Sequence, residues 1–415
     1  MNILALNCGS SSVKYQLYDW NAHKVKAKGT VERIGIKDSY LLHKAGNETV
    51  RIADSSVTDH ITAIELIMRT LKDPVNGVIS DIAEIAAVGH RVVHGGEKFT
   101  KSVVITQQVI DTITELSGLA PLHNPPNLAG ILAARKLMPD APQIAIFDTA
   151  FHQTMPKTAY LYAVPMEWYE ENNVRRYGFH GASHLYVSKR AAVMLGKPSS
   201  ECNLIIMHIG NGVSHTAIKN GVSVDTSMGF TPLEGAIMGT RCGDLDPALP
   251  LYMQRILGKS ADEMDSMLNK KSGLLGITKR FTDRRDIQRC AAQGDRLCEL
   301  AIDMEAYRLK KYIGMYAAVL GRLDAVAFTA GVGENFGYLR QLALENLEHI
   351  GITIDLEKNL ATTADSGETD VSAPSSRVKV FIIPTNEELV FVEDVVATLN
   401  GKYADHMNYP YSFSK

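Results

Sequence analysis

The chain has 415 residues, 45% of them apolar and 21% charged, with a formal net charge of -3. Those values suit a globular chain of two or more domains with ample core, and they exclude the basic footprint of a nucleic-acid or anionic-membrane binder. No stretch is apolar for long enough to span a bilayer, and the first apolar run stops at Asn7 with no basic region before it, so neither a membrane anchor nor a signal peptide is expected.

Residues 3–18, ILALNCGSSSVKYQLY, set two apolar runs around a polar knot from Asn7 to Ser12, followed by Lys14. This reads as a hairpin whose serines, backbone N–H groups and lysine suit an anion, phosphate above all; an ordinary polar turn is the alternative. Further strands are expected over 22–52. A helix is expected over Thr58–Lys72, with Ile61, Ile64, Leu66, Ile67 and Leu71 near one face. Residues 85–99 read as a buried strand ending in Arg91, His94 and paired glycines. A helix from about 106 to 117 stops at Gly118. Pro121, Pro125 and Pro126 predict an irregular, rigid segment holding His123 and Asn124, ahead of a helix over about 128–137. The strand Ile144–Phe147 delivers Asp148. The cluster RRYGFHGASH, residues 175–184, precedes a helix over 183–195.

The hairpin device then recurs at 204–218, with a knot from His208 to Ser214. Residues 225–247 hold too many glycines for a regular element and carry Arg241, Asp244 and Asp246. Residues 250–320 have helical period, broken at 270–285. A strand over 324–329 leads into a glycine loop, Gly331 to Asn335. A last strand over 378–383 leads into a helix to about Leu399 that returns to the first half, and the tail past Gly401 reads as mobile. The pattern is two mixed α/β halves, each opening on a phosphate-type hairpin, with the boundary between Asp148 and Cys202.

Several familiar sites are absent. Gly258-Lys259-Ser260 resembles the end of a P-loop, but Met253 occupies its first glycine position. His215 and Phe336 stand where a dinucleotide fingerprint needs its third glycine, and there is no G-x-S-x-G. His90/His94 and His180/His184 have zinc-like spacing but lack the accompanying Glu. The five cysteines (Cys8, Cys202, Cys242, Cys290, Cys298) are scattered and form no C-x-x-C, which fits free thiols in a reducing cytoplasm.

What remains is three glycine loops after apolar strands, at 7–14, 208–214 and 331–335, a combination suited to clasping a nucleotide triphosphate. Arg91 and Arg241, set among glycines, are placed to grip carboxylate or phosphate, unless they are merely solvated. His123 and His180 could be functional or packed. Asp148 ends a buried strand, where a carboxylate is costly unless used or paired. Glu387 is either a helix-dipole partner or a magnesium ligand.

The segments LNCGSSSVKY, HRVVHGGE, APLHNPPNL, FDTAFHQTMP, RRYGFHGASH, HIGNGVS, DTSMGFTPLEGAIMGTRCGD, FTAGVGEN and IPTNEEL, in this order from residue 6 to 389, resemble the acetate and propionate kinase family. The resemblance implies an α/β fold, the duplicated actin-like (ribonuclease H-like) ATPase fold, with two domains around a nucleotide cleft. The first is residues 1–150, completed by the C-terminal helix of about 386–400; the second is 151–385. It implies reversible transfer of the ATP γ-phosphoryl group to a short carboxylate in a cytoplasmic homodimer, with Mg2+ (or Mn2+) as cofactor and no nucleic-acid or membrane partner. By the resemblance, Asn7 and Glu387 hold the metal and Lys14 contacts the nucleotide phosphates. ATP is held by His208, Ile209, Gly210, Asn211 and Gly212, by Asp283, Arg284 and Arg285, and by Gly331, Val332, Gly333, Glu334 and Asn335. Arg91 binds the substrate carboxylate and Asp148 is the active-site carboxylate. His180 and Arg241 stabilise the transition state, with His123 close by. Val93, Leu122, Phe179 and Pro232 form the acyl pocket, which favours acetate over propionate, with butyrate a further alternative. A non-catalytic reading, an actin-like clamp switched by ATP, fits the three loops but not the carboxylate site. Three departures from the family pattern stand out: Arg284 where an apolar residue is usual, Ala330 where glycine is common, and a tail past Gly401 longer than the pattern needs.

Overall fold

A computed structural model describes residues 1–121 and 123–415. The chain forms two compact units, one of Met1–Gln153 with Asn386–Tyr411, the other of Thr154–Thr385 with Ser412–Lys415. Among the described residues no helix is long and apolar enough to cross a membrane.

The first unit is built on β1 (Asn2–Cys8), β2 (Ser12–Asp19), β3 (Lys24–Glu32), β4 (Tyr40–Ala45), β5 (Glu48–Ala53), β6 (Ile85–Val92), β7 (Val103–Val104) and β8 (Gln143–Phe147). They lie in the order β5-β4-β3-β2-β1-β6-β8-β7. The second contains β9 (Leu204–Ile209), β10 (Val213–Lys219), β11 (Val222–Thr226), β12 (Ala325–Thr329), β13 (Thr369–Asp370) and β14 (Lys379–Ile382), ordered β11-β10-β9-β12-β14-β13. One motif is repeated in both sheets. In the first, β1, β2 and β3 form an antiparallel meander and β1 continues in parallel to β6 and β8. In the second, β9, β10 and β11 form the meander and β9 continues in parallel to β12 and β14. The inner parallel strands β8, β9 and β12 are buried along their whole length, because helices cover both faces of such strands.

The helix Glu387–Leu399 packs on β1, β6 and β8. The approach is close: a Cβ on Gly89 of β6 would lie 2.8 Å from Val395 Cγ2, so only glycine leaves room for the helix.

Three expectations are corrected. Residues Ala330–Asn335 form a short helix instead of a loop. Its first residue, Ala330, has φ +65°, a left-handed angle that explains why glycine suits the position and that costs alanine about 1–2 kcal/mol. The segment around Pro125 and Pro126 is not irregular, since the helix Asn124–Leu137 begins there and takes its prolines at the first turn, where no N–H is needed. The tail past Gly401 is packed down: Tyr403, His406, Tyr411 and Phe413 are all buried. The break expected at 270–285 contains the short helix Gly273–Thr278.

Candidate active site

In the first unit the β1–β2 turn closes with the Gly9 N–H donating to Ser12 O at 2.8 Å. Asn7 and Lys14 are directly paired across the hairpin and so present their side chains on one face. Both line a cavity of about 320 Å³ together with Glu387 and Glu388, from the first turn of the helix Glu387–Leu399. Burial pushes the Glu387 carboxyl up to about 7. Arg91 and Lys14 pull it down, while Asp148 and Glu388 add to the rise.

Arg91, on β6, meets Asp148, just past β8, in a fork. Nε donates to Oδ1 at 3.0 Å and Nη2 to Oδ2 at 2.6 Å. Parallel pairing of β6 with β8 places the two side by side. Burial opposes the Arg91 charge, but Asp148 outweighs it, with Glu387 and Glu388, and holds the guanidinium further above its ordinary range. Both Asp148 oxygens accept from this guanidinium, which holds the Arg91 side chain in one orientation.

Within the segment APLHNPPNL, nothing in the sequence singles out the residue that secures this corner. Asn127, in the helix Asn124–Leu137, accepts from Val93 N–H at 2.9 Å and donates to Cys8 O at 2.7 Å, joining the end of β1 to the end of β6. A short polar residue beside two prolines has no distinguishing pattern. His123 precedes that helix as its half-buried cap residue, Val93 is buried, and Leu122 lies outside the described residues.

In the second unit His180 starts the helix Gly181–Leu195 with φ +58°, an angle rare outside glycine and a form of strain that collects at functional sites. Its Nδ1 pairs with Ser214 Oγ at 2.9 Å, and the same hydroxyl pairs with His184 Nε2 at 2.7 Å. The His180 ring stacks on His208 with centroids 4.1 Å apart, and His208 Nδ1 pairs with Ser183 Oγ at 2.8 Å. Arg241 donates from Nη1 to Pro232 O at 2.9 Å, and burial lowers its pKa. A Cβ on Gly212 would lie 3.3 Å from His180 Cε1 and 3.5 Å from Arg241 Nη2, so the imidazole and the guanidinium converge on the tip of the β9–β10 turn. Phe179 is buried and Pro232 half-buried in this unit.

Beside the turn lies a cavity of about 640 Å³, lined by Gly210, Asn211, Asp283, Arg284, Arg285, Gly331, Val332 and Asn335 among others. Three segments distant in sequence thus meet around one space. Ile209 and Gly333 are buried behind it, as is Glu334, whose carboxyl burial raises; His208 and Gly212 are not among its lining residues. Arg284 is a support: it forks onto buried Glu305, with Nε to Oε1 at 2.9 Å and Nη2 to Oε1 at 2.6 Å, while Nη1 holds Gly210 O at 2.9 Å. Exposed Arg285 pairs with Asp283 and, ahead of other hydrogen bonds, holds its carboxyl down at about 2. Arg340 went unnoticed in the sequence. Fully buried, it donates to Gly333 O at 2.8 Å and Glu334 O at 2.9 Å, fixing the carbonyl end of the helix Ala330–Asn335; burial lowers its pKa to about 10.

The chain is similar to known proteins along its whole length. The acetate kinase of Geobacter sulfurreducens is 63% identical over all of this chain and 99% of its own. The crystal structure of Porphyromonas gingivalis acetate kinase superposes with a TM-score of 0.91 at 44% identity, covering 96% of this chain and 99% of the other. That of a propionate kinase from Francisella tularensis superposes with a TM-score of 0.88 at 40% identity, covering 95% and 98%. With a family model for the Acetokinase family matching residues 2–393, the chain belongs to that family, kinases whose phosphoryl acceptor is a carboxylate.

Proposed function

We propose that the chain transfers the γ-phosphoryl group of ATP reversibly to acetate, giving acetyl phosphate and ADP by direct in-line attack, with propionate as a second substrate. The observation that carries the reading is the Arg91–Asp148 fork beside Glu387. A carboxylate acceptor is already anionic and needs no base, which agrees with an Asp148 whose oxygens are both engaged by Arg91. Arg91 would grip the acceptor. His180 and Arg241, converging at Gly212, would stabilise charge on the moving group, and phosphoryl transfer asks a protein mainly for such positioning and charge. ATP would occupy the cavity bounded by the 210–211, 283–285 and 331–335 segments, with Lys14 on its phosphates. Val93, Leu122, Phe179 and Pro232 are proposed for the acyl chain, and His123 for a supporting role.

Mg2+ is the proposed cofactor, held by Asn7 and Glu387. The residues fit it. Both line one cavity, both offer oxygen, and among the described residues no cluster of three or more His, Cys, Asp or Glu forms a full protein cage, which suits an ion that keeps waters and substrate phosphates as ligands. When bound, the ion would neutralise phosphate charge. A homodimer is proposed from apolar stripes at helical spacing: Leu249, Tyr252 and Ile256 on the helix Ala248–Leu257, and Leu297, Leu300, Met304 and Tyr307 on the helix Arg296–Leu320, all exposed. A cytoplasmic location fits five cysteines that are all free.

The test is to mix protein, MgATP and acetate, propionate or butyrate, and trap acyl phosphate with hydroxylamine. Acetyl hydroxamate should form fastest and propionyl hydroxamate second; no hydroxamate from any acid overturns the reading.

A further inference from the structure

The tail past Gly401 lies beyond the family-matched region, yet it is anchored at supports of the proposed site. Asp394 is buried in the helix Glu387–Leu399 and accepts three hydroxyl hydrogen bonds. One comes from Ser102 Oγ at 2.6 Å and two from the tail, Tyr403 OH at 3.1 Å and Tyr411 OH at 2.7 Å. A buried carboxylate is tolerated only when satisfied in this way. Asp394 lies seven residues after Glu387, two helical turns, so the two share a helix face. Holding Asp394 therefore fixes the rotation of the helix about its axis, and with it the direction of Glu387. The tail has other anchors in this unit: Tyr409 packs edge-on to Tyr403 and Tyr411, and the His406 ring lies 5.4 Å from Phe151, three residues past Asp148. In the second unit Phe413 packs 4.8 Å from Tyr186, and Arg190 donates to Phe413 O at 2.9 Å; both partners sit on the helix that begins after His180.

We infer that Tyr403 and Tyr411 are positioning residues for phosphoryl transfer, acting through Asp394 to aim Glu387. This rests on the reading of Glu387 as a metal-side carboxylate. The test is the pair Tyr403→Phe/Tyr411→Phe, which keeps ring packing and removes both tail hydroxyls from Asp394. Mn2+ binding in the presence of ADP is followed by electron paramagnetic resonance, alongside the Mg2+ activation constant and the KM for acetate. Removing a direct outer-shell partner of a metal ligand typically costs 10–100-fold; these hydroxyls act one step further out, through Asp394, so Mn2+ affinity and the Mg2+ constant should weaken by about threefold to tenfold. The acetate KM should stay within about twofold, since Arg91 is held by Asp148 and not by the tail or Asp394. A folded double variant with wild-type Mn2+ affinity overturns the inference; should it fail to fold, Tyr411→Phe alone and Ser102→Ala are read by the same criterion. Glu387→Gln is run in parallel. If it weakens Mn2+ binding while the tyrosine variants do not, the positioning claim alone falls. If it leaves binding unchanged, the metal assignment falls and the positioning claim with it.

Discussion

Arg241 has its charge set against its surroundings: burial lowers its pKa, and its nearest polar contact is the Pro232 carbonyl rather than a carboxylate. Among the described residues no carboxylate pairs with this cation, which agrees with its proposed role beside an anion that arrives during reaction. Arg241→Ala should therefore lower kcat on the order of a thousandfold while circular dichroism and thermal unfolding stay near wild type. A folded variant with wild-type turnover would remove the assignment. Glu387 gives a pH prediction. With its carboxyl raised to about 7, a divalent cation must displace a proton below that pH. The apparent Mg2+ constant should weaken by up to about tenfold per unit below pH 7 and level off above it, and Glu387→Gln should lose the slope. The folding sign is opposite to that of a salt-bridged carboxylate. In the metal-free protein this group's contribution is fully present below the ordinary value of 4.5 and is lost as pH rises through 7, which thermal unfolding of wild type against Glu387→Gln will read.

Among the elements, the β9–β10 turn depends on Arg284, a residue that looks out of place in the sequence. Its guanidinium holds Gly210 O and forks onto Glu305, with both side chains almost fully enclosed. Arg284→Ala leaves the Glu305 charge buried alone and should cost about 3–5 kcal/mol in denaturant unfolding. It should also raise the KM for ATP by freeing the turn. The double replacement Arg284→Met/Glu305→Met should recover most of the stability but not the KM, because the pair is replaceable by apolar packing and the grip on Gly210 is not. The element pattern itself was largely legible: both hairpins, the parallel strands and the helix from Glu387 appear in the apolar periodicity. The short helix Ala330–Asn335 was missed because a glycine-rich stretch with a left-handed first residue lacks helical signals. Arg340, bonded to its last carbonyls, supplies from a distance what local propensity lacks.

For the whole molecule, family membership sets aside the reading of a non-catalytic ATP-switched clamp. The exposed stripes on the helices Ala248–Leu257 and Arg296–Leu320 include Ile256 at 62% and Tyr307 at 66% exposure, large for apolar side chains aligned at helical spacing. Ile256→Glu/Tyr307→Glu should move the sedimentation coefficient from dimer to monomer; a wild-type species that already sediments as a monomer refutes the proposed dimer.

The sequence by itself determined the repeated half, its opening turn and the residue types of the site, because strand periodicity and glycine-rich turns are local properties. Only the tertiary structure decided which of those residues share a space. It put Asn7, Lys14 and Glu387, from opposite ends of the first unit's chain, around one cavity, and joined the 210–211, 283–285 and 331–335 segments around another. It also turned a tail read as loose into a fastening for the helix that carries Glu387, through hydroxyls on Asp394. No local signal could have shown this. A tyrosine in a polar tail looks solvated until the fold supplies a buried carboxylate for it to satisfy.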